Sequence, residues 1–201
     1  MIPSSSPIAL LLAAGRGSRF NDREEKLLQP FLHHDGRPGT VATASAAALL
    51  EVMPVVAVVA GPGILADALR EMGCTVCMHP PGDPRAMSAS LRCGLQHGAQ
   101  ASGWLVALAD MPRIQPATLA RLRDALTAGA TIVAPVMQGR RGNPVGFGSA
   151  HLPALLALQG DRGARALLDA HPVTEVEVWD GGVFADIDTR EDLERMQDRR
   201  E

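Results

Sequence analysis

Up to residue 135, short apolar runs alternate with longer amphipathic ones, and the spacing predicts strand and helix in turn. Residues 8–14, 55–60, 74–78, 104–109 and 131–135 are continuous apolar segments of strand length, the pattern of strands buried on both faces. Between them, 41–52, 63–72, 88–97 and 116–128 carry helical patterning. Each runs about a dozen residues, the length a right-handed crossover between parallel strands requires. Residues 1–135 therefore read as a doubly wound unit of an α/β fold: three layers around a mostly parallel sheet.

Beyond residue 135 the alternation loosens. A Gly/Arg-rich stretch at 138–148 reads as a loop, followed by short helices at 152–158 and 163–170 and strand-like runs at 173–178 and 183–187. A charged helix begins at Thr189, where Thr189 and Asp192 have capping-box spacing. No internal repeat or low-complexity linker divides the chain, so residues 1–201 read as one domain in which 136–201 is a substrate-side addition.

Composition fits this picture. In 201 residues with 46% hydrophobic content there are only four Phe, two Trp and no Tyr. The core must therefore be built from Ala, Leu, Val and Ile, as under buried parallel strands. A net charge of -3 and scarce aromatic platforms argue against nucleic-acid binding. The apolar run at 8–14 has no basic residue before it and is too short to span a membrane, so neither export nor membrane insertion is expected. Three cysteines, an odd number, suggest free thiols in a reducing compartment, and hence the cytoplasm. Cys74-Thr-Val-Cys77 has the spacing of a redox or zinc pair, yet it lies in a predicted strand, where residues three apart face opposite sides. Buried thiols are the expected outcome. The six histidines share no ligand-type spacing.

Candidate chemistry starts directly after the first strand, with Leu12-Ala13-Ala14-Gly15-Arg16-Gly17-Ser18-Arg19. An open α/β sheet binds ligands outside the carboxyl ends of its strands. Small residues there leave backbone N–H groups clear to cradle phosphate, and Arg19 can add a bidentate clamp. A dinucleotide fingerprint would need a third glycine where Phe20 stands, and a Walker loop a Gly-Lys-Ser/Thr ending, so both are disfavoured. Lys26 is the only lysine beside 18 arginines. A compact ammonium suits a phosphate whose geometry changes during reaction; the alternative is an ordinary surface lysine beside Glu24 and Glu25.

Asp110 closes the fourth apolar run and must emerge at the same sheet edge as the glycine-rich loop. One hard carboxylate among water and phosphate oxygens is how Mg²⁺ is usually held, so a metal-bridging role is expected. The alternative, an N-cap, would fall more naturally at Gln115 or Pro116. Asp186 and Asp188 close the last run on one face; either could complete the metal site, or Asp188 could cap the final helix while Asp186 pairs with an arginine. Arg140, Arg141 and Asn143, with Arg162 and Arg165, sit on glycine-rich backbone suited to a second anionic substrate, or simply form solvated basic loops.

With these residues in view, the chain resembles the molybdenum cofactor cytidylyltransferases and the wider MobA-like nucleotidyltransferases. The likeness runs through the opening signature to Lys26-Leu-Leu, Met87-Ser-Ala-Ser90-Leu91, Asp110-Met-Pro112, Gly142-Asn143-Pro-Val-Gly146, Gly160-Asp-Arg-Gly-Ala-Arg165 and Asp186-Ile-Asp188-Thr189. It implies a glycosyltransferase A-like sheet. It also implies nucleotide contacts at Leu12 to Ser18 and Ser90, catalytic roles for Arg19, Lys26 and Asp110, Mg²⁺ at Asp110 with Asp186 or Asp188, and an acceptor site at Arg141, Asn143 and Arg165. CMP would pass from CTP to molybdopterin, releasing pyrophosphate, with a molybdoenzyme or its maturation chaperone as a transient contact. In this group Ala-Ala-Gly goes with cytosine and Ala-Gly-Gly with guanine, so Ala13-Ala14-Gly15 implies CTP. Asn21, Ala86 and Asn143 depart from the family's usual glycine, glycine and histidine; Asn tolerates positive φ, so the first change need not break the turn. The rival readings are a GTP-using or other-acceptor transferase and a carrier without turnover.

Overall fold

The computed structural model describes residues 6–14, 23–79, 87–160 and 164–198. In chain order the first elements are β1 (Ile8–Leu12), α1 (Arg23–Leu28), β2 (Pro30–Leu32), β3 (Pro38–Thr40), α2 (Val41–Leu50), β4 (Val55–Val59), α3 (Ile64–Glu71), β5 (Thr75–Met78) and α4 (Met87–His97). They continue with β6 (Gly103–Leu108), α5 (Pro116–Thr127), β7 (Ile132–Met137), β8 (Arg140–Arg141), β9 (Val145–Gly148), α6 (Leu152–Leu156), α7 (Arg165–Ala170), β10 (Thr174–Glu177) and α8 (Arg190–Asp198).

Eight strands form one sheet in the order β10-β7-β9-β6-β1-β4-β5, with β8 paired to β7. The pairs β10–β7, β6–β1, β1–β4 and β4–β5 are parallel, whereas β9 runs antiparallel to both β6 and β7. From β1 the chain steps outward through β4 and β5, then returns to the other side of β1 to lay down β6. That reversal opens a crevice at the carboxyl ends of β1 and β6, the place where such sheets take ligands.

Because successive strand residues point to opposite faces, the apolar runs fill two cores. Ala9, Leu11, Ala57, Val59, Leu105 and Ala107 face the layer of α2, α3 and α5. Ile8, Leu10, Val56, Val58, Trp104 and Phe147 face α4 and α6. α2 begins with a capping box between Thr40 and Thr43, and α5 with Pro116 in its first turn, where the missing N–H is not needed. The expected Thr189–Asp192 cap is present: Thr189 N–H donates to Asp192 Oδ2 (2.9 Å) and Asp192 N–H to Thr189 Oγ1 (3.1 Å).

Three expectations need correction. First, the stretch at 138–148 is not all loop, since β9 enters the sheet between β6 and β7. Gly146 permits this, because a Cβ there would lie 2.6 Å from Val133 and 2.9 Å from Leu126. Second, 183–187 is not a strand. Gly181–Phe184 is a 3₁₀ turn, and the buried Asp180 carboxylate holds it by accepting from Gly182 N–H (2.9 Å) and Gln115 N–H (2.9 Å). Third, the cysteines are not all free thiols: Cys77 of β5 is disulfide-bonded to Cys93 of α4. Cys74 stays free in the opposite core, and burial pushes its thiol up to about 12. The hairpin of β2 and β3 and the short α1 add to the expected elements.

Gly182 presses directly on the loop after Asp110: an added Cβ would lie 2.2 Å from the carbonyl oxygen of Arg113. Gly182→Ala should therefore lower unfolding free energy by about 1–3 kcal/mol, read from urea titration, with the loss coming from backbone displacement. A variant as stable as the parent would show that this contact gives way freely.

Candidate active site

β1 delivers Leu12, Ala13 and Ala14 to the crevice, all at most 5% exposed. Ala13 N–H donates to Val58 O (2.8 Å) and Ala109 N–H to Leu12 O (3.2 Å), so β1 is locked to both neighbours up to its carboxyl end. The expected phosphate-loop residues Gly15, Arg16, Gly17, Ser18 and Arg19 lie outside the described residues.

β6 delivers Asp110, which is 5% exposed. Its backbone is anchored from both sides. Ser45 of α2 donates its hydroxyl to Ala109 O (3.0 Å), and Ile187 N–H donates to Asp110 O (2.9 Å). The second bond brings the segment before α8 alongside β6, so Asp186 and Asp188 flank the Asp110 turn. All three expected metal carboxylates thus share one end of the crevice, although 186–188 is extended loop and not strand.

Lys26 is brought to the same place by α1. Only 2% exposed, it is no surface lysine. Its Nζ donates to Asp110 Oδ2 (3.0 Å) and to Ile187 O (2.5 Å), and lies 3.6 Å from Asp188 Oδ1. Breaking such a buried pair by deleting one partner typically costs about 3–5 kcal/mol, because the other charge is left uncompensated. The Asp186 carboxyl opens toward solvent, yet its pKa is raised: protein around it displaces hydrating water, and the charges of Asp188 and Asp110 add to the effect, against its own backbone hydrogen bond and Lys26. Hard oxygen donors with surplus negative charge are what Mg²⁺ takes, so the residues fit that ion.

A cleft of about 680 Å³ runs from Leu12 and Leu108 at the strand ends to Arg140, Arg141, Asn143 and Arg165. It brings together the three residues expected to bind the acceptor. Arg141 Nε is held 2.8 Å from Glu175 Oε1, and the Arg140 guanidinium stacks 4.4 Å from the Phe184 ring centroid. Ser90, in the first turn of α4, is 2% exposed and lies outside that lining, and among the described residues its hydroxyl has no hydrogen-bond partner. Sequence reasoning missed two supports, Ser45 and Asp180. A serine in an Ala-rich helix and an aspartate beside two glycines carry no signal of the distant carbonyl and amides they bind.

The MobA-like NTP transferase domain matches residues 9–176. A molybdenum cofactor guanylyltransferase of Ralstonia nicotianae is 32% identical across 100% of both chains. Rv0371c of Mycobacterium tuberculosis H37Rv is 29% identical over 96% of this chain and 98% of its own, with a TM-score of 0.77. Its complex with manganese is 29% identical over 95% and 97%, with a TM-score of 0.74. A CMP:2-keto-3-deoxy-manno-octonic acid synthetase complexed with CTP covers 96% and 97% with a TM-score of 0.71. At 14% identity it shows the fold alone, which is that of the nucleotide-diphospho-sugar transferases.

The raised pKa of Asp186 sets a stability signature for the metal-free protein. Between the unfolded pKa near 3.8 and the raised folded value, the folded state holds the proton more tightly, so stability falls as pH rises through that window. Asp186→Asn should therefore stabilise the metal-free protein at neutral pH, and the gain should disappear as pH falls toward 3.8. Chemical denaturation across pH checks this; a destabilised variant at pH 7 would contradict the electrostatics.

Proposed function

The chain belongs to the MobA-like NTP transferase family, and from that premise we propose that it transfers CMP from CTP to molybdopterin, a phosphorylated acceptor, releasing pyrophosphate. The observation that carries this reading is the meeting of Lys26, Asp110, Asp186 and Asp188 where the strand order reverses.

In the proposed reaction a phosphate oxygen of the acceptor attacks the α-phosphorus of CTP and the bond to pyrophosphate breaks. A phosphate nucleophile is already ionised near neutral pH, so the protein supplies position and charge compensation, and no general base is needed. Asp110, with Asp186 and Asp188, would hold Mg²⁺, which when bound neutralises charge on the phosphates. Lys26 offsets charge developing on the leaving group. Leu12 to Ala14, with Gly15 to Arg19, would cradle the triphosphate, and Ser90, buried at the start of α4, would reach the nucleotide only if that turn opens. Arg141, Asn143 and Arg165 neutralise and orient the acceptor at the far end of the cleft.

Ala13-Ala14-Gly15 supports cytosine. A second reading, GTP as donor, is favoured by the name of the Ralstonia nicotianae relative. A carrier without turnover is disfavoured because Lys26 and Asp110 are in place and engaged. Among the described residues no helix is long and apolar enough to cross a membrane. We place the reaction in the cytoplasm, with hand-over of product to a molybdoenzyme or its maturation chaperone.

Pyrophosphate release with CTP, GTP, ATP or UTP, in the presence of Mg²⁺ and with or without molybdopterin, tests the proposal. Release is expected only with CTP and molybdopterin together; release with GTP alone would reassign the base, and none with any nucleotide would remove the transferase reading. Asp110→Ala and Lys26→Ala should each lower turnover by about 100-fold or more in folded protein, the scale of one lost electrostatic stabiliser. Near-normal turnover in either variant would contradict the roles assigned.

A further inference from the structure

A second constellation lies away from the carboxylate cluster, where β5 meets α4. Cys77 belongs to β5, while Cys93 and His97 are four residues apart on α4 and therefore share one helix face. The two sulfurs and one ring nitrogen of His97 all lie within 4.8 Å of one another. Cys77 and Cys93 are 1% and 6% exposed, whereas His97 reaches solvent, so the group has a dry interior and an open side. His97 Nδ1 is 3.1 Å from the carbonyl oxygen of Cys93. When it donates there, the other ring nitrogen keeps its lone pair, the arrangement by which a backbone carbonyl orients metal-binding histidines.

We infer that, once the disulfide is reduced, Cys77, Cys93 and His97 form a site for one thiophilic divalent cation of the Zn²⁺ class, and that the Cys77–Cys93 disulfide is the closed form of that site. Tetrahedral Zn²⁺ with Zn–S near 2.3 Å and Zn–N near 2.0 Å sets its donors roughly 3.4–3.8 Å apart, so reduction must let the two bonded sulfurs separate to that spacing, while His97 is already within reach of both. Opening the site takes two electrons and two protons from a dithiol, which itself becomes a disulfide as two protein thiols form. Binding the cation then releases the two thiol protons to solvent, leaving two thiolates, one neutral imidazole and a fourth position for water. Cys74 takes no part: it lies in the opposite core, and burial keeps its thiol protonated at neutral pH. Either state ties the edge strand to the helix that carries Ser90. The inference does not depend on which nucleotide the cleft takes.

The test uses the full chain, reduced with a dithiol, desalted without oxygen and titrated with Co²⁺ in excess Mg²⁺, so that carboxylate sites contribute no thiolate signal. One equivalent of Co²⁺ should produce a thiolate-to-cobalt charge-transfer band with tetrahedral visible absorption, and Zn²⁺ should displace it. The band should be missing in the oxidised chain and in Cys93→Ser. His97→Ala, a change at an exposed position, should weaken Zn²⁺ binding by more than about tenfold, at least the cost of losing a second-shell partner. Reduced wild type without the band, an equal band in the oxidised chain, or unchanged affinity in His97→Ala would overturn the inference.

Discussion

An ammonium enclosed at the mouth of a sheet is stable only while its charge is answered, and here the answer draws three distant parts of the chain together. Lys26 reaches from α1 to Asp110 at the end of β6 and to Asp188 and the Ile187 carbonyl before α8. The backbone repeats the connection, since Ile187 N–H donates to Asp110 O. The Asp180 turn, the bond from Asn143 N–H to Val183 O and the pairing of β10 with β7 also hold the C-terminal segment near the strand ends. The junction also leaves negative charge in excess, since three carboxylates share this end of the crevice with one lysine, and partial burial, with the Asp188 and Asp110 charges adding to it, pushes Asp186 toward its protonated form. That imbalance costs stability in the metal-free protein and is the ground on which we propose a divalent cation here.

The cleft extends the same electrostatic logic. Arg140, Arg141 and Arg165 line one end of it, and Leu12 and Leu108, at the strand ends that lead to Asp110, line the other. The antiparallel strand β9 separates β6 from β7 and widens the sheet between these ends. Arg141 is steadied by Glu175 and Arg140 by the Phe184 ring, so two of the three cations are held before any ligand arrives.

The sheet and its crossovers were legible because buried parallel strands are written as unbroken apolar runs of fixed length, and four helices fall within a few residues of their predicted spans. Asp110 was legible because it ends an apolar run, and Asp186 and Asp188 because they stand two apart at the close of another. Harder to see were features that depend on a partner far along the chain. β9 alternates glycine with Val145 and Phe147, which reads as loop until Gly146 is set against Val133 and Leu126. The run at 183–187 has strand composition, but the Asp180 carboxylate accepts from Gly182 N–H and fixes Gly181–Phe184 as a 3₁₀ turn that runs on into loop. Cys77 and Cys93 meet only because α4 packs across β5, a relation absent from Cys-x-x-Cys spacing. The burial of Lys26 was invisible behind Glu24 and Glu25, because the groups its ammonium binds lie beyond residue 100.

Anomalous scattering from crystals grown with Mn²⁺ and CTP tests the central claim most directly. The account predicts a manganese peak within bonding distance of Asp110 and of Asp186 or Asp188, with the nucleotide phosphates on the same ion. A nucleotide bound in the crevice with no ion at Asp110, or manganese ordered elsewhere while these carboxylates stay empty, would contradict it.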